Sequence, residues 1–433
     1  SNEVFNVDLS QFQDIPEPKS YADTQKSPLK ERWNESMREE WEALLKNKTF
    51  EAVSRNDPRV RGRKPTKSRW VYKIKIARDG TIDRFKSRFV VCGYSQKHGV
   101  DYDRAFSATL RATSFRTLLA IAAGQKYRLM HFDVSNAFTQ ASMDEHDVFI
   151  EPPKGFEIWE KIGGKWLTKL LYLKRALYGT KQASRLWQNT LCSFLVDDLG
   201  FKRSTTDPCL FRFQKGKDSI LLGIYVDDII VAYRGNKTFS EFQQKFFKRF
   251  PGKPEKLQWF LGMAIDQHED YSIHVNHELA IDKIAQKFIP HNKVTREFPS
   301  PEAFNKLDRA QNDEDRARAR KVEYASLVGA LLYISVMSRP DTAVYTSLLA
   351  KFLADPSPEC VDAAIILLQY LHSTRKKKLY YSGKIIVPEG MEIHRPDIEK
   401  NHGFVAFSDS SWGNKHPYPM FGYGIYLYGG LVS

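Results

Sequence analysis

Two adjacent carboxylates, Asp227 and Asp228, sit inside one of the most apolar runs of the chain, Ile220-Leu-Leu-Gly-Ile-Tyr-Val-Asp-Asp-Ile-Ile-Val-Ala-Tyr233. The flanks read as two buried strands joined by a tight turn. Paired charges at such a place are unfavourable unless something neutralises them. A hard divalent cation does so, because Mg²⁺ prefers carboxylate oxygens. A surface hairpin whose turn holds two acids gives the same local pattern, since Asp is a common turn residue. A third acid tips the balance towards metal chemistry. Arg128-Leu-Met-His-Phe-Asp-Val-Ser-Asn-Ala-Phe138 contains another short apolar strand, and it ends at Asp133.

The elements around these acids follow from local pattern. Residues 1–27 are polar, hold Pro16 and Pro18, and read as an irregular arm; Ser1-Asn2 reads as a remnant of an expression tag. Ser27-Pro28 looks like a helix N-cap with Pro at N1. Trp33, Met37, Trp41, Leu44 and Leu45 fall on one face of the helix that follows. Residues 69–91 read as a hairpin about an Asp79-Gly80 turn. Lys73 and Lys75 alternate with Tyr72, Ile74 and Ile76, and Arg84, Lys86 and Arg88 alternate with Phe85 and Phe89. Each strand thus presents one basic and one apolar face. Residues 113–127 read as a helix leading into the Asp133 strand, and 187–199 as a long helix. Acids in 143–153 read as surface residues. Residues 276–290 look helical, 291–320 read as a charged, Pro-punctuated linker, and 321–353 and 357–373 as apolar-patterned helices. The run Arg375-Lys-Lys-Lys378 fits a nucleic-acid contact and a solvated helix end equally.

Composition sets the bounds. A chain of 433 residues, 42% hydrophobic and 13% aromatic, folds, and is too long for one ordinary core. The formal net charge of +14 suits a polyanionic partner. That charge is focused: residues 51–100 carry 14 Lys and Arg against 4 Asp and Glu, as a phosphate-binding surface requires. Cys92, Cys192, Cys209 and Cys360 are widely spaced and read as reduced thiols, with neither a zinc motif nor a disulfide frame. No signal peptide is visible, and the apolar run Leu327 to Met337 is too short to span a bilayer.

Eight segments occur in a telling order: Trp70-Val-Tyr-Lys-Ile-Lys75, Arg84-Phe-Lys-Ser-Arg-Phe-Val-Val-Cys-Gly-Tyr-Ser-Gln96, Phe132-Asp-Val-Ser-Asn-Ala-Phe138, Leu177-Tyr-Gly-Thr-Lys-Gln-Ala-Ser-Arg-Leu-Trp187, Tyr225-Val-Asp-Asp228, Phe260-Leu-Gly262, Tyr324-Ala-Ser-Leu-Val-Gly-Ala-Leu-Leu-Tyr333 and Ser338-Arg-Pro-Asp341. The set resembles the reverse transcriptase of copia-type LTR retrotransposons, from about residue 17 onwards. Ser135-Asn136, Thr180 and Ser184 depart mildly from commoner residues of that family.

The resemblance implies an α+β right-hand polymerase with fingers, palm, thumb and connection, followed by the start of an RNase H-like fold. It implies an arm at 1–27, an N-terminal helix and fingers at 28–130, palm at 131–265, thumb and linker at 266–320, thumb and connection helices at 321–395, and an incomplete RNase H-like domain at 396–433. The implied activity is RNA- and DNA-templated DNA synthesis. Asp133, Asp227 and Asp228 are the implied catalytic residues. With Val134 they bind two Mg²⁺ ions, for which Mn²⁺ can substitute; such ions activate a primer 3′ hydroxyl and stabilise the leaving pyrophosphate.

Further site residues come from the same motif positions. Arg88, with Lys75 and Lys86, is expected to contact the dNTP triphosphate, because a planar guanidinium holds two phosphate oxygens. Ala137, Phe138, Tyr178 and Gly179 complete the dNTP site. Phe138 either gates the sugar or is simply core; Gly179 either admits a close backbone approach or merely starts a helix. Phe260, Leu261 and Gly262 occupy the place of the primer grip. Asp409, in Gly403-Phe-Val-Ala-Phe-Ser-Asp-Ser-Ser-Trp412, occupies the position of the first RNase H acid. No Asp or Glu follows it among residues 410–433, so RNase H activity is not expected.

Expected partners are an RNA template, a DNA or tRNA-type primer, the RNA–DNA hybrid and dNTPs, with no membrane. A homodimer, a capsid-like particle and an integrase belong to the same expectation, as does a cytoplasmic virus-like particle with later nuclear entry of the product complex. The alternative from another class is a catalytically idle nucleic-acid-binding or assembly protein derived from such an element.

Overall fold

The basic block and the acids are carried by different sheets of a mixed helix-and-sheet fold. A computed structural model describes residues 16–76, 82–143, 146–291, 294–387, 389, 392–411 and 420–433. The chain divides into two compact units. One draws on Ser1–Ala108, Val134–Phe201 and Lys248–Pro251; the other on Thr109–Asp133, Lys202–Phe247 and Gly252–Ser433.

In the first unit the strands Ser68–Ile76 and Ile82–Val91 pair antiparallel as expected; the Asp79-Gly80 turn lies outside the described residues. The register sets Val71 opposite Arg88, Lys73 opposite Lys86 and Lys75 opposite Arg84. Trp70, Tyr72 and Ile74 lie opposite Phe89, Ser87 and Phe85. Directly opposed residues share a face, so the basic and apolar faces persist across both strands. The helix Lys30–Lys46 packs on this hairpin. Its Trp33 ring meets Tyr72 and Phe85 edge-on, at 5.4 Å and 4.8 Å. Trp33, Met37 and Leu44 are buried, whereas Leu45 is 51% exposed at the margin of the apolar stripe.

The same helix closes the free edge of the second strand. Ser36 Oγ donates to the Phe85 carbonyl (3.1 Å) and accepts from the Ser87 N–H (2.7 Å). One turn later, buried Glu40 accepts from the Phe89 N–H. Positions i and i+4 share a helix face, so two side chains satisfy groups that a neighbouring strand would otherwise pair.

Two expectations fail at the entry to this helix. Leu29, not Ser27, is its N-cap. Ser27 is occupied as the C-cap of a preceding short helix, Tyr21–Lys26, where an irregular arm was expected. Elsewhere in this unit the helix expected at 187–199 starts earlier, at Ala183, and passes into a π turn at Phe194–Asp198. Glu151, read as a surface acid, is half-buried and pairs with Arg55.

In the second unit the central sheet runs Gly252–Lys256, Arg128–Val134, Asp228–Arg234, Asp218–Tyr225, Leu210–Lys215, Lys202–Arg203. The helix Ala112–Gly124 precedes it, as the sequence suggests. Phe132 is fully buried against Phe239, Phe242, Phe246 and Phe247, with ring centroids 4.7–6.1 Å away. This cage fixes the strand that carries Asp133.

The helices Glu278–Phe288, Asp313–Lys321, Tyr324–Met337, Ala343–Ala350 and Pro358–Ser373 share a core that includes Leu327, Leu331, Leu349 and Leu367. The expected linker therefore contains a helix. Asn312 caps it, accepting from the Asp315 N–H at 2.9 Å. Its acids sit in the first turn and its bases in the last, an order that suits the helix dipole. The helix expected over 321–353 breaks at Ser338-Arg-Pro-Asp341, where Pro340 removes a donor. There the buried Arg339 guanidinium pairs with Asp341 at 2.7 Å and donates to the Thr374 carbonyl. Arg375, a candidate phosphate contact, lies 3.1 Å from Asp282 and is already engaged within the fold. The strands Val405–Ser411, Met420–Leu427 and Gly430–Leu431 form a separate antiparallel sheet. All four cysteines are buried thiols. Among the described residues no helix is long and apolar enough to cross a membrane.

Burial raises the Glu40 carboxyl above the ordinary glutamate value, against the opposing pull of the Phe89 N–H, Lys86 and Arg88. The folded chain therefore holds this proton to higher pH than the unfolded chain. Stability is lost as pH climbs from the ordinary value through the raised one. Glu40→Gln removes that ionisation and keeps an acceptor for Phe89. Thermal melts of variant and parent should diverge in the variant's favour over the pH range that climbs from the ordinary glutamate value through the raised one. A constant difference across that range would show that Glu40 ionises without penalty.

Candidate active site

Sheet pairing brings the acids together. Tyr225 pairs with Asp228, leaving Val226 and Asp227 as a two-residue loop. Val226 has φ 58, the left-handed region that a β-branched residue avoids. Such a conformation stores about 1–3 kcal/mol and persists only where surrounding structure imposes it. Asp228 is in turn the direct cross-strand partner of Asp133. Partners share a face, so both carboxylates emerge on one side at the strand end, with Asp227 beside them on the turn. Asp133 is exposed; Asp227 and Asp228 are half-buried. Val134 is buried and, as the next residue of the strand, turns its side chain to the opposite face from Asp133.

His131 belongs to this face too, two residues before Asp133. Its Nε2 lies 3.2 Å from Asp228 Oδ1. Reading for carboxylates alone misses it. The signal was its place, one strand period from Asp133.

The donor chemistry fits a hard cation. Among the described residues no group of three or more His, Cys, Asp or Glu side chains forms a metal cage. Mg²⁺ sites of polymerases and kinases seldom need one, because water and substrate phosphates supply the remaining oxygens.

In the first unit, Lys75, Arg84, Lys86 and Arg88 share the basic face of the hairpin. Burial, and then the neighbouring Arg88, Arg84 and Lys75, push the Lys86 ammonium below the ordinary lysine value. Arg88 lies over the Tyr178 ring at 4.7 Å, and Tyr178 meets Phe138 edge-on at 4.7 Å. Arg88, Tyr178 and Phe138 therefore form one continuous stack, a contact that motif order does not reveal. Phe138 is 7% exposed and Ala137 fully buried, both in the 3₁₀ turn Ala137–Gln140. Gly179 has φ 88, and a Cβ there would stand 2.1 Å from the Val91 carbonyl oxygen. The close approach it permits is thus to the hairpin's own backbone, and the helix starts only at Ala183.

The remaining candidates lie in the second unit. Phe260 pairs with Met263 across a tight turn of Leu261 and Gly262, and its buried ring stacks on Phe115 at 5.2 Å. Asp409 is exposed opposite Gly422.

A family model described as reverse transcriptase (RNA-dependent DNA polymerase) matches residues 47–300. The retrovirus-related Pol polyprotein from transposon TNT 1-94 of Nicotiana tabacum is 31% identical over 87% of this chain and 28% of that protein. The transposon TyH3 Gag-Pol polyprotein of Saccharomyces cerevisiae is 26% identical over 93% of this chain and 22% of that protein. The chain spans about a quarter of the length of these curated relatives. A solved foamy viral protease-reverse transcriptase in complex with double-stranded DNA matches 78% of this chain and 47% of that chain at 15% identity, with a TM-score of 0.38, too distant a likeness to build on. On the family match and the Pol polyprotein relatives, the chain belongs to the reverse transcriptases of copia-type LTR retrotransposons.

Proposed function

We propose that this chain is an RNA- and DNA-templated DNA polymerase that adds dNTPs to a primer 3′ hydroxyl. The observation that carries the reading is the register: Asp133 opposite Asp228, with Asp227 on the strained turn between strands. In this reading the hairpin of residues 68–91 belongs to the fingers and the six-stranded sheet to the palm. The helices after residue 276 belong to thumb and connection, and the strands after residue 405 begin an RNase H-like fold with Asp409 as its first acid. Partners are template RNA, a DNA or tRNA-type primer and the RNA–DNA hybrid. Assembly with capsid and integrase, a homodimer, a virus-like particle in the cytoplasm and later nuclear entry belong to the same proposal.

Asp133, Asp227, Asp228 and the Val134 carbonyl would hold two Mg²⁺ ions, which when bound supply Lewis acidity to the primer hydroxyl and the triphosphate. The side chains do the positioning. The Phe132 cage fixes Asp133 along its strand, and His131 orients one Asp228 oxygen. Arg88 offers a planar fork to phosphate oxygens, already oriented by Tyr178, with Lys86 and Lys75 adding positive potential. Phe260, Leu261 and Gly262 hold the primer end. Tyr178, Gly179 and Ala137 shape the nucleotide's surroundings, and Phe138 excludes a ribose 2′ hydroxyl by steric clash.

Asp227→Asn keeps the side-chain shape and removes a charge. Primer extension with Mg²⁺ on a primed RNA template should fall by at least about a hundredfold, the scale expected when one transition-state contact is lost. Duplex affinity should stay nearly unchanged. Equal extension by variant and parent would remove Asp227 from the site.

Arg88→Ala should raise the KM for dNTP by roughly tenfold, corresponding to one lost charge-assisted contact. If duplex affinity alone moved, Arg88 would be a template contact.

Phe138→Ala should admit ribonucleotides at modest loss to deoxynucleotide use. The ratio of kcat/KM for the two sugars is the measurement. A ratio that stays put while the Tm falls would make Phe138 a packing residue.

A further inference from the structure

The turn Leu261-Gly262 holds both residues in the left-handed region, at φ 51 and φ 76. Glycine adopts this freely and leucine does not. The pattern matches a two-residue hairpin loop in which the favoured first residue is Asn, Asp or Gly. Leucine here needs support from outside the turn.

That support comes from the helix Tyr324–Met337. The Tyr333 hydroxyl donates to the Leu261 carbonyl. Behind it, the Tyr333 ring meets the buried His277 ring at 5.4 Å, edge-on. His277 Nδ1 lies 2.6 Å from Ser338 Oγ. Burial lowers the His277 imidazole to about 4, so the ring is neutral near pH 7. The Leu261 backbone acts on the same ring, although its buried Nε2 makes no full hydrogen bond. The base of the hairpin is held separately, by the Phe115–Phe260 stack.

One exposed tyrosine on a neighbouring helix is thus bonded to the strained turn. We propose that Tyr333 is a positioning residue: its hydroxyl fixes the tip of the Phe260-Leu-Gly262 hairpin, and so aims the primer 3′ end. This rests on the polymerase reading and adds a residue to it. A packing role for Tyr333 needs only the ring. A positioning role needs the oxygen, because the strained Leu261 carbonyl otherwise loses the hydroxyl that reaches it from the helix Tyr324–Met337. Misaim of the attacking group by a fraction of an ångström slows attack without weakening binding.

Tyr333→Phe separates the two, since it keeps the ring and removes the hydroxyl. Two readouts are taken on the full chain. Amide hydrogen exchange across residues 259–264 is measured without nucleic acid. Single-nucleotide addition is measured with Mg²⁺ on a primed RNA template. Exchange at Gly262 and Met263 should quicken by about tenfold, a local loosening, while the Tm stays put. The rate of nucleotide addition at saturating substrate should fall by about tenfold, with dNTP KM and duplex affinity unchanged. Unchanged exchange overturns the latch. Quickened exchange with an unchanged rate overturns the aiming role. A fall confined to duplex affinity makes Tyr333 a nucleic-acid contact instead. A parent chain that adds no nucleotide overturns the polymerase reading, and the aiming role with it, while the exchange result still decides the latch.

Discussion

Like charges held side by side are the constraint on which the second unit depends. Asp133 and Asp228 face each other directly across two strands, a placement that destabilises a sheet by itself. The surrounding structure shows what opposes that repulsion. Phe132 anchors one strand in a cage of four phenylalanines. Ile229, Ile230 and Val231, all fully or almost fully buried, anchor the other. The repulsion is confined to one end of the pair, with Asp133 next to last in its strand and Asp228 the first residue of the other. Cross-strand pairing also makes the arrangement sensitive to register: a slip of one residue would turn Asp133 to the opposite face.

The first unit repeats this logic with the opposite sign. Lys73 opposite Lys86, and Lys75 opposite Arg84, place four cations on one face of a two-stranded hairpin. No sheet gains from such pairing alone. The other face compensates, with Trp33, Tyr72, Phe85 and Phe89 in ring contact or close by, and with Ser36 and Glu40 closing the strand edge. In each unit, apolar packing holds a cluster of like charges in place against its own repulsion.

What could be read in advance divides along a physical line. Period-two alternation showed the hairpin and its two faces, because a strand's exposure repeats at a spacing visible in any short window. The acid pair was legible because charge inside an apolar run is anomalous. The helix Asp313–Lys321 was not, since nine charged and small residues lack an apolar stripe; its order of acids before bases was the available sign. Ser27 misled because one serine matched the local pattern for a helix start while already ending the preceding helix. His131 was visible in principle, one strand period from Asp133. The Arg88–Tyr178–Phe138 stack was not, since its members come from three distant segments and meet only through tertiary packing.

The two strained turns show how tertiary structure overrides local preference. Val226 and Leu261 each occupy the left-handed region in a two-residue loop, where a sequence free to relax would place Gly or Asn. Neither residue can hold that conformation by its own propensity. At Val226 the strands on both sides impose it, through seven consecutive residue pairs running from Ser219–Arg234 to Tyr225–Asp228. At Leu261 the flanking strand Trp259–Phe260 is only two residues long, so the ladder is too weak to do the same. The hairpin there depends on contacts from beyond itself, the Phe115 ring at its base and the Tyr333 hydroxyl at its tip. A turn held by its own strands is rigid by construction. One held by a side chain on a neighbouring helix keeps its shape only while that helix stays seated, which makes the seating of the helix Tyr324–Met337 a condition on the geometry of the Leu261 turn.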